Sequence, residues 1–374
     1  MCSLKEYELG ELLTYEQPTP YIVSSTKYND SYEIPVLTAG KSFVIGYTNE
    51  TEGVYDKLPV IIFDDFTTST QYVNFPFKVK SSAMKILTAN TDLVLPKYIF
   101  YRMQMIGFDC STHKRYWIQH YSKIKVKIPE KLEAQEKIVE KIEELFSELD
   151  KIVETLQLIK MQLVIYRKTV LNESFKMCDM EVTVNSVCEH VTDGDHMPPP
   201  KVDKGIPFIM ISDINGEKID WSNTAYVDKK YFESINDKRK PQKGDILYTV
   251  TGSFGLPVLV DFEKEFCFQR HIALLRPKEI IDARFLYFAM QTPKVYEQAL
   301  KGATGTAQKT VGLGTLRNIK IPYVAKIEEQ RKILVEVQEK LTLCNNMEKI
   351  IDETLQKASA MRQSILRQAF EGTL

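Results

Sequence analysis

Between Glu133 and Phe175 the apolar side chains fall at Ile138, Ile142, Leu145, Leu149, Ile152, Leu156, Ile159, Leu163, Tyr166 and Val170. Successive steps alternate between four and three residues without a break. That spacing predicts one helix over 133–175, about 65 Å long at ~1.5 Å per residue. A 3.5-residue apolar repeat keeps one narrow stripe facing a partner, so the stripe reads as a coiled-coil seam. Glu and Lys fill most of the remaining positions, as on a solvated face.

The partner helix is written in the same chain. Shifted by 195 positions, the seam falls on Ile333, Val337, Lys340, Cys344, Met347, Ile351, Thr354, Ala358, Met361 and Ile365, apolar except at Lys340 and Thr354. The spelling around the seam recurs too. IPEKLEAQEKI at 128–138 reads against IPYVAKIEEQRKI at 321–333, and RKTVLNESF at 167–175 against RQSILRQAF at 362–370. Such an internal repeat comes before any choice of fold. It predicts two copies of one plan: a globular segment at 1–131, a long helix at 132–178, a second globular segment at 179–326 and a second long helix at 327–374.

The globular segments show strand-like runs. In the first, 32–37 (YEIPVL), 43–47, 59–64 (PVIIFD) and 75–79 are β-branched and aromatic, bounded by Gly, Asn and Thr. PKYIFYRMQM at 96–105 reads as a short helix with Pro in its first turn. In SKIKVKIP at 122–129, Lys123, Lys125 and Lys127 alternate with apolar residues and so share one strand face. The second segment repeats the order: IPFIMI at 206–211, GDILYTVTGSFG at 244–255, ARFLYFAMQ at 283–291 and LRNIKIP at 316–322. The loops between these elements share almost nothing. A common scaffold with two sets of variable loops is where recognition usually sits.

Composition narrows the function. No run of 18 apolar residues occurs, and the charged start MCSLKEYELGELL lacks the apolar core of a signal peptide. The six cysteines show no paired spacing, which predicts a reduced, cytoplasmic protein without disulfides or structural zinc. Lys and Arg exceed Asp and Glu by 15 to 14 in residues 1–131 and by 20 to 19 in 179–326. Any nucleic-acid surface must therefore arise from local clustering rather than bulk charge.

Catalytic signatures are weak or missing. TAGKSF at 38–43 hints at a phosphate loop, but Pro35 stands where that motif needs Gly. Cys188, His190, Asp193, Asp195 and His196 form a metal-like cluster whose spacing fits no standard zinc pattern, so no metal site is expected. The cofactor loop and catalytic tetrapeptide of adenine methyltransferases are missing as well. Several polar loops instead suit nucleic acid. HKRYW at 113–117 combines His113, Lys114 and Arg115 with Tyr116 and Trp117, a mix for phosphate and base contact or, equally, a solvated basic loop above two core aromatics. FTTSTQY at 66–72 and KGATGTAQKT at 301–310 offer small donors and acceptors for base edges, with Gly permitting close approach. DKRKPQKGD at 237–245 is a basic run that could meet phosphates or simply be solvated.

The duplicated IPEKLEAQEKIVEKI and IPYVAKIEEQRKIL, the helix ends RKTVLNESF and RQSILRQAFEGTL, and GDILYTVTGSFG with GTAQKTVGLGTLRNIKIP resemble the DNA-specificity subunits of type I restriction–modification systems. The resemblance covers nearly the whole chain in family order. The first half departs from it: VIIFDDFTTST and HKRYWIQHY replace the GDIL-like and GTAQK-like segments. The resemblance implies an α+β fold, with two mixed α/β target-recognition domains, two long antiparallel helices forming a coiled coil, and a pseudo-twofold axis relating the halves. The helices would act as a ruler between two domains reading an asymmetric split target in double-stranded DNA. Two modification subunits carrying S-adenosylmethionine and restriction subunits using ATP and magnesium would be the partners. The chain itself would bind no cofactor and catalyse nothing, while its complex methylates adenine and cleaves DNA. Candidate DNA contacts are Lys41, Thr67, Thr68, Ser69, Gln71, His113, Lys114, Arg115 and Tyr116 in the first half. In the second they are Ser212, Asp213, Thr251, Ser253, Arg270, Thr304, Thr306, Gln308 and Lys309. The competing readings are a structural coiled-coil adaptor with protein-binding halves and the recognition part of a fused methyltransferase.

Overall fold

The computed structural model describes residues 3–39, 42–110, 115–196, 199–306 and 308–374. They divide into two compact units, Met1–Leu156 with Glu353–Leu374, and Gln157–Asp352. Each unit therefore holds one globular domain, the near part of one long helix and the far part of the other. The long helices run over Leu132–Phe175 and Ile327–Glu371.

In the first unit a four-stranded antiparallel sheet has the order Leu13–Glu16, Met84–Ala89, Val60–Asp64, Thr70–Val73. A three-stranded sheet places Ile34–Leu37 between Val44–Thr48 and Lys78–Val79, the latter pairing parallel. Val60–Asp64 is buried along its whole length because its two faces serve two cores. Ile61 and Phe63 pack with Tyr98 and Ile99 of the short helix Pro96–Met103, whereas Val60 and Ile62 pack with Leu37, Phe77 and Val79. Alternation of side chains across a strand makes this possible and explains the unbroken apolar spelling. A third sheet pairs Leu4–Glu8 with Lys125–Pro129 and brings the chain to the first long helix.

The second unit repeats the plan with insertions. Its four-stranded sheet runs Cys188–Asp193, Ile272–Pro277, Ile246–Thr249, Pro257–Leu259. A second sheet again includes a parallel pair, Ile206–Ile209 with Cys267–Phe268. Ile246 and Tyr248 face one core and Leu247 the other. Met180–Thr183 pairs with Lys320–Tyr323 ahead of the second long helix. Single hydrogen bonds recur at matching joints: Leu9 N donates to Ile124 O and Val184 N to Ile319 O, and Asn90 N donates to Leu12 O as Lys278 N does to Val187 O.

The lysine stripe is shorter than its spelling suggests. Lys125 and Lys127 are exposed on the closing strand above buried Val126 and Ile128, but Lys123 ends a 3-10 turn at Tyr121–Lys123. Lys125 also lies 3.8 Å from Glu6.

In each unit the two long helices pack against each other, and in the second their contacts show them antiparallel. Lys160 meets Asp352 and Arg167 meets Asn345 in the second unit, so there a step up one helix matches a step down the other, and Asp150 meets Arg362 in the first. Arg167 and Arg362 are repeat equivalents, as are Asp150 and Asn345, so the same cross-helix contact is made in both units.

Buried or half-buried seam positions on the first helix are Ile138, Ile142, Leu145, Leu149, Leu156, Ile159, Leu163 and Val170, and on the second Ile333, Val337, Lys340, Cys344, Ile351, Thr354, Ala358 and Ile365. Four seam members instead face solvent: Ile152 is 52% exposed, Tyr166 49%, Met347 49% and Met361 54%. They form two repeat-equivalent pairs, so the departure has one cause. A straight helix at 3.6 residues per turn drifts by about 20° per heptad away from a 3.5-residue stripe. The inward face follows that drift. It passes through Ile142, Phe146, Leu149 and Val153 and leaves Ile152 outside.

Candidate nucleic-acid interface

Two segments of the second domain, 251–253 and 304–310, are tied together by the backbone. Gly252 N donates to Lys309 O at 3.0 Å, and Thr304 and Thr310 exchange N–H···O bonds of 2.9 and 2.8 Å. Thr310 Oγ1 reaches Thr251 Oγ1 at 3.3 Å. The first segment is a tight turn because Thr249 Oγ1 donates to Ser253 O and accepts from Leu256 N, both at 2.9 Å. Gly252 adopts φ +69°, open to glycine at little cost. Phe254 anchors the turn by stacking on Tyr296, with ring centroids 5.8 Å apart.

These segments line a concavity of about 380 Å³ shared with Asp193, His196, Arg270 and His271. Of the candidates, Arg270 and Gln308 line it together above Thr251, which is only 7% exposed and holds the two segments together. Ser253, Thr304, Thr306 and Lys309 are exposed beside it on the same two segments. Arg, Lys, Gln and Thr on one platform can pair with guanine, adenine and phosphate oxygens. Asp193 is held by His196 at 2.8 Å and Arg239 at 3.4 Å.

The first domain builds the same joint. Tyr116 N donates to Asp65 O at 3.0 Å, as Val311 N donates to Val250 O at 2.8 Å. The residues before Tyr116 thus correspond to those before Val311, and Arg115 to Thr310. By sequence Lys114 then falls on Lys309 and His113 on Gln308. Lys41, His113 and Lys114 lie outside the described residues, as do Gly40 of TAGKSF and Met197 and Pro198. Thr67, Thr68 and Ser69 occupy a turn closed by Asp64, whose Oδ1 accepts from Phe66 N at 2.8 Å and Thr67 N at 3.2 Å. Thr68 takes φ +57° there and lies 3.5 Å from Cys110 Sγ. Arg115 is exposed.

Two candidates, Tyr116 and Asp213, are buried in the fold. Tyr116 is 3% exposed, stacked edge-on to Phe108 at 5.1 Å beside the buried Trp117, so both aromatics of HKRYW serve the core. Gln71 is exposed on the strand Thr70–Val73, in a groove it lines with Tyr101, Glu143, Asp150, Lys151 and Arg362. Asp213 is 6% exposed and caps its own turn, accepting from Met210 N at 2.9 Å and Ser212 Oγ at 3.2 Å. Ser212 is exposed but committed to that bond.

In the basic run at 237–245 every cation but the exposed Lys238 has an acidic neighbour. Lys240 pairs with Asp237 at 2.8 Å, Arg239 with Asp193, and Lys243 with Glu263 at 3.7 Å, while buried Asp245 grips Arg276 at 2.8 Å. Among the described residues no group of three His, Cys, Asp or Glu could hold a metal ion. Burial pushes the Cys188 and Cys267 thiols up to about 12. Burial, with the 2.6 Å hydrogen bond to Asp195, raises the Tyr231 phenol and keeps it a neutral donor.

One feature escaped the sequence reading. Gln135 and Gln330 are both 0% exposed and make three matching bonds each. The signal was present, since both stand inside the duplicated EAQEK and EEQRK spellings.

Comparison with known proteins agrees with this architecture. The family model described as the type I restriction modification DNA specificity domain matches residues 180–357. The specificity subunit of the type I restriction enzyme EcoR124I/EcoR124II of Escherichia coli is 33% identical, with 95% of this chain and 90% of that protein covered. The MjaVIII specificity subunit of Methanocaldococcus jannaschii is 23% identical over 79% and 74% of the two chains. Among solved structures, a chain of a type I restriction–modification complex superposes with a TM-score of 0.71 at 18% identity, covering both chains fully. The HsdS subunit of Thermoanaerobacter tengcongensis superposes at 0.55 with 19% identity, over 99% and 97% of the chains. At those identities the structural likeness speaks for the fold, and the sequence likeness for the family. The chain belongs to the specificity subunits of type I restriction enzymes.

Proposed function

We propose that this chain reads a split DNA target, each domain contacting one half, and directs methylation and cleavage performed by other subunits. The observation that carries the reading is the duplicated loop platform. One backbone joint, Tyr116 to Asp65 and Val311 to Val250, presents different side chains in the two domains. Arg115 with Thr67 and Ser69 would read one half; Arg270, Gln308 and Lys309 with Ser253 the other. Unlike loops on like scaffolds give an asymmetric target, and phosphate contacts supply sequence-independent affinity.

Modification subunits carrying S-adenosylmethionine and restriction subunits using ATP and magnesium fit the family and complete the assembly, which acts in the cytoplasm. Leu158, Met161 and Ile165 on the first long helix and Leu343 and Ile350 on the second are 50–67% exposed, surface that a partner subunit would cover.

Methylation-site sequencing of a strain carrying this chain with its modification subunit tests the reading. The expected result is methylated adenine within one motif of two unlike halves separated by a fixed number of unread bases. A continuous motif, or methylation without sequence preference, would contradict it.

A further inference from the structure

Each long helix begins with a buried amide that ties it to its own domain. Gln135 is the fourth residue of the first helix and Gln330 the fourth of the second. They stand 195 positions apart, the same offset as the seam. Gln135 Oε1 accepts from Leu95 N at 2.9 Å, while its Nε2 donates to Leu93 O at 3.0 Å and Pro129 O at 2.8 Å. Gln330 Oε1 accepts from Asp282 N at 2.8 Å, and its Nε2 donates to Ile280 O at 3.1 Å and Val324 O at 2.9 Å.

The partners are equivalent in kind as well as number. Leu95 and Asp282 are the N-cap residues of the short helices Pro96–Met103 and Ala283–Ala289. Leu93 and Ile280 lie two residues earlier. Pro129 ends its closing strand, and Val324 follows the strand Lys320–Tyr323. One planar amide therefore joins three segments: the strand that leaves the domain, the turn before its short helix, and the long helix. Apolar packing resists separation but tolerates small sliding, whereas hydrogen bonds fail within a few tenths of an ångström and a few tens of degrees. Both amide protons and the amide oxygen are engaged away from water, so the joint has one orientation.

From this geometry we propose that Gln135 and Gln330 are positioning residues for target reading. Each fixes the angle between its recognition domain and its spacer helix, and so the number of unread base pairs the complex accepts between the two half-targets. This rests on the split-target reading above. The glutamines touch no DNA and leave base preference within each half to the loops.

The test uses the assembled complex with its modification subunit and compares wild type with Gln135→Met, Gln330→Met and the corresponding Glu variants. Methionine keeps the length and burial and loses all three bonds; glutamate loses the two donations. Methylation rates are measured on duplexes whose spacer is native, one base pair shorter or one longer. The expected result is at least a tenfold fall in discrimination between native and altered spacers, with unchanged base preference in both halves. Folded variants that keep wild-type spacer discrimination would overturn the proposal, because a merely structural amide would lower the melting temperature alone. If no variant assembles, amide hydrogen exchange in the wild-type complex decides. Leu95 and Asp282 N–H must exchange as slowly as the long-helix amides, and exchange at loop rates would overturn the clamp. If the wild-type complex shows no split target, the functional reading fails instead, so the two failures are distinguishable.

Discussion

Gly252 shows how one residue shapes what the second domain presents. An added Cβ would lie 2.8 Å from Gln308 Nε2, and the φ of +69° disfavours any side chain. Gly252→Ala should cost about 1–2 kcal/mol of stability for the left-handed backbone. It should also push Gln308 aside, lowering discrimination at one base pair by ~1–3 kcal/mol, the worth of a bidentate contact. Relative methylation rates on singly altered targets measure this; the half read by the first domain should not change. A second residue-scale prediction concerns Asp65 and Lys85, paired at 3.3 Å with 2% and 1% of their side chains exposed. Asp65 also accepts from Trp117 N at 2.9 Å, and Lys85 donates to Gln17 at 3.1 Å. Lys85→Ala leaves a carboxylate buried without its cation and should destabilise the first unit by roughly 3–5 kcal/mol. Urea unfolding followed by Trp117 fluorescence in a Trp221→Phe background measures it, and a loss below ~1 kcal/mol would contradict the account. Nothing in the spelling FDDF or MKIL marks this pair, because sequence gives residue type but not which strand neighbours meet. Tyr116 and Asp213 show the same limit: their types suit DNA, and their burial serves the fold.

At the scale of elements, the seam was legible because a helix writes its contact face at regular intervals. Its detailed course was not, because the 3.5-residue repeat and the 3.6-residue helix part company after two or three turns. Phe146 illustrates this. It lies off the spelled seam yet is 7% exposed, with the Arg362 guanidinium 4.5 Å above its ring. The prediction is a sharp contrast between neighbouring seam positions. Ile142→Ala, at 0% exposure, should cost about 2–5 kcal/mol, while Ile152→Ala, at 52%, should stay within ~0.5 kcal/mol. Thermal melting of the free chain by helix circular dichroism ranks them; equal losses would contradict the observed rotation. The cross-helix ion pairs are exposed and should matter less, with Arg362→Ala losing under ~1 kcal/mol in direct pairing. Strands were legible where one served two cores, as in PVIIFD and GDILY. Leu4–Glu8, Leu13–Glu16 and Met84–Ala89 were not recognised, because their spelling is partly polar and their pairing partners lie far along the chain.

At the scale of the whole molecule, the duplication was the strongest signal, since it repeats spelling, seam phase and element order together. The pairs Arg167–Asn345 and Arg362–Asp150, and Gln135 with Gln330, show it extending to single hydrogen bonds. The functional reading makes the long helices a spacer. Inserting seven residues after Leu156 adds ~10 Å, about three base pairs, while keeping the seam phase. The unread gap should lengthen, or assembly should fail for want of a matching partner turn; an unchanged gap at full activity would count against the spacer. The modular claim has a still more direct test: exchanging residues 1–131 for the equivalent domain of another specificity subunit and sequencing the methylated sites. The account predicts that one half of the target changes while the other half keeps its bases. A change in both halves, or in neither, would contradict it.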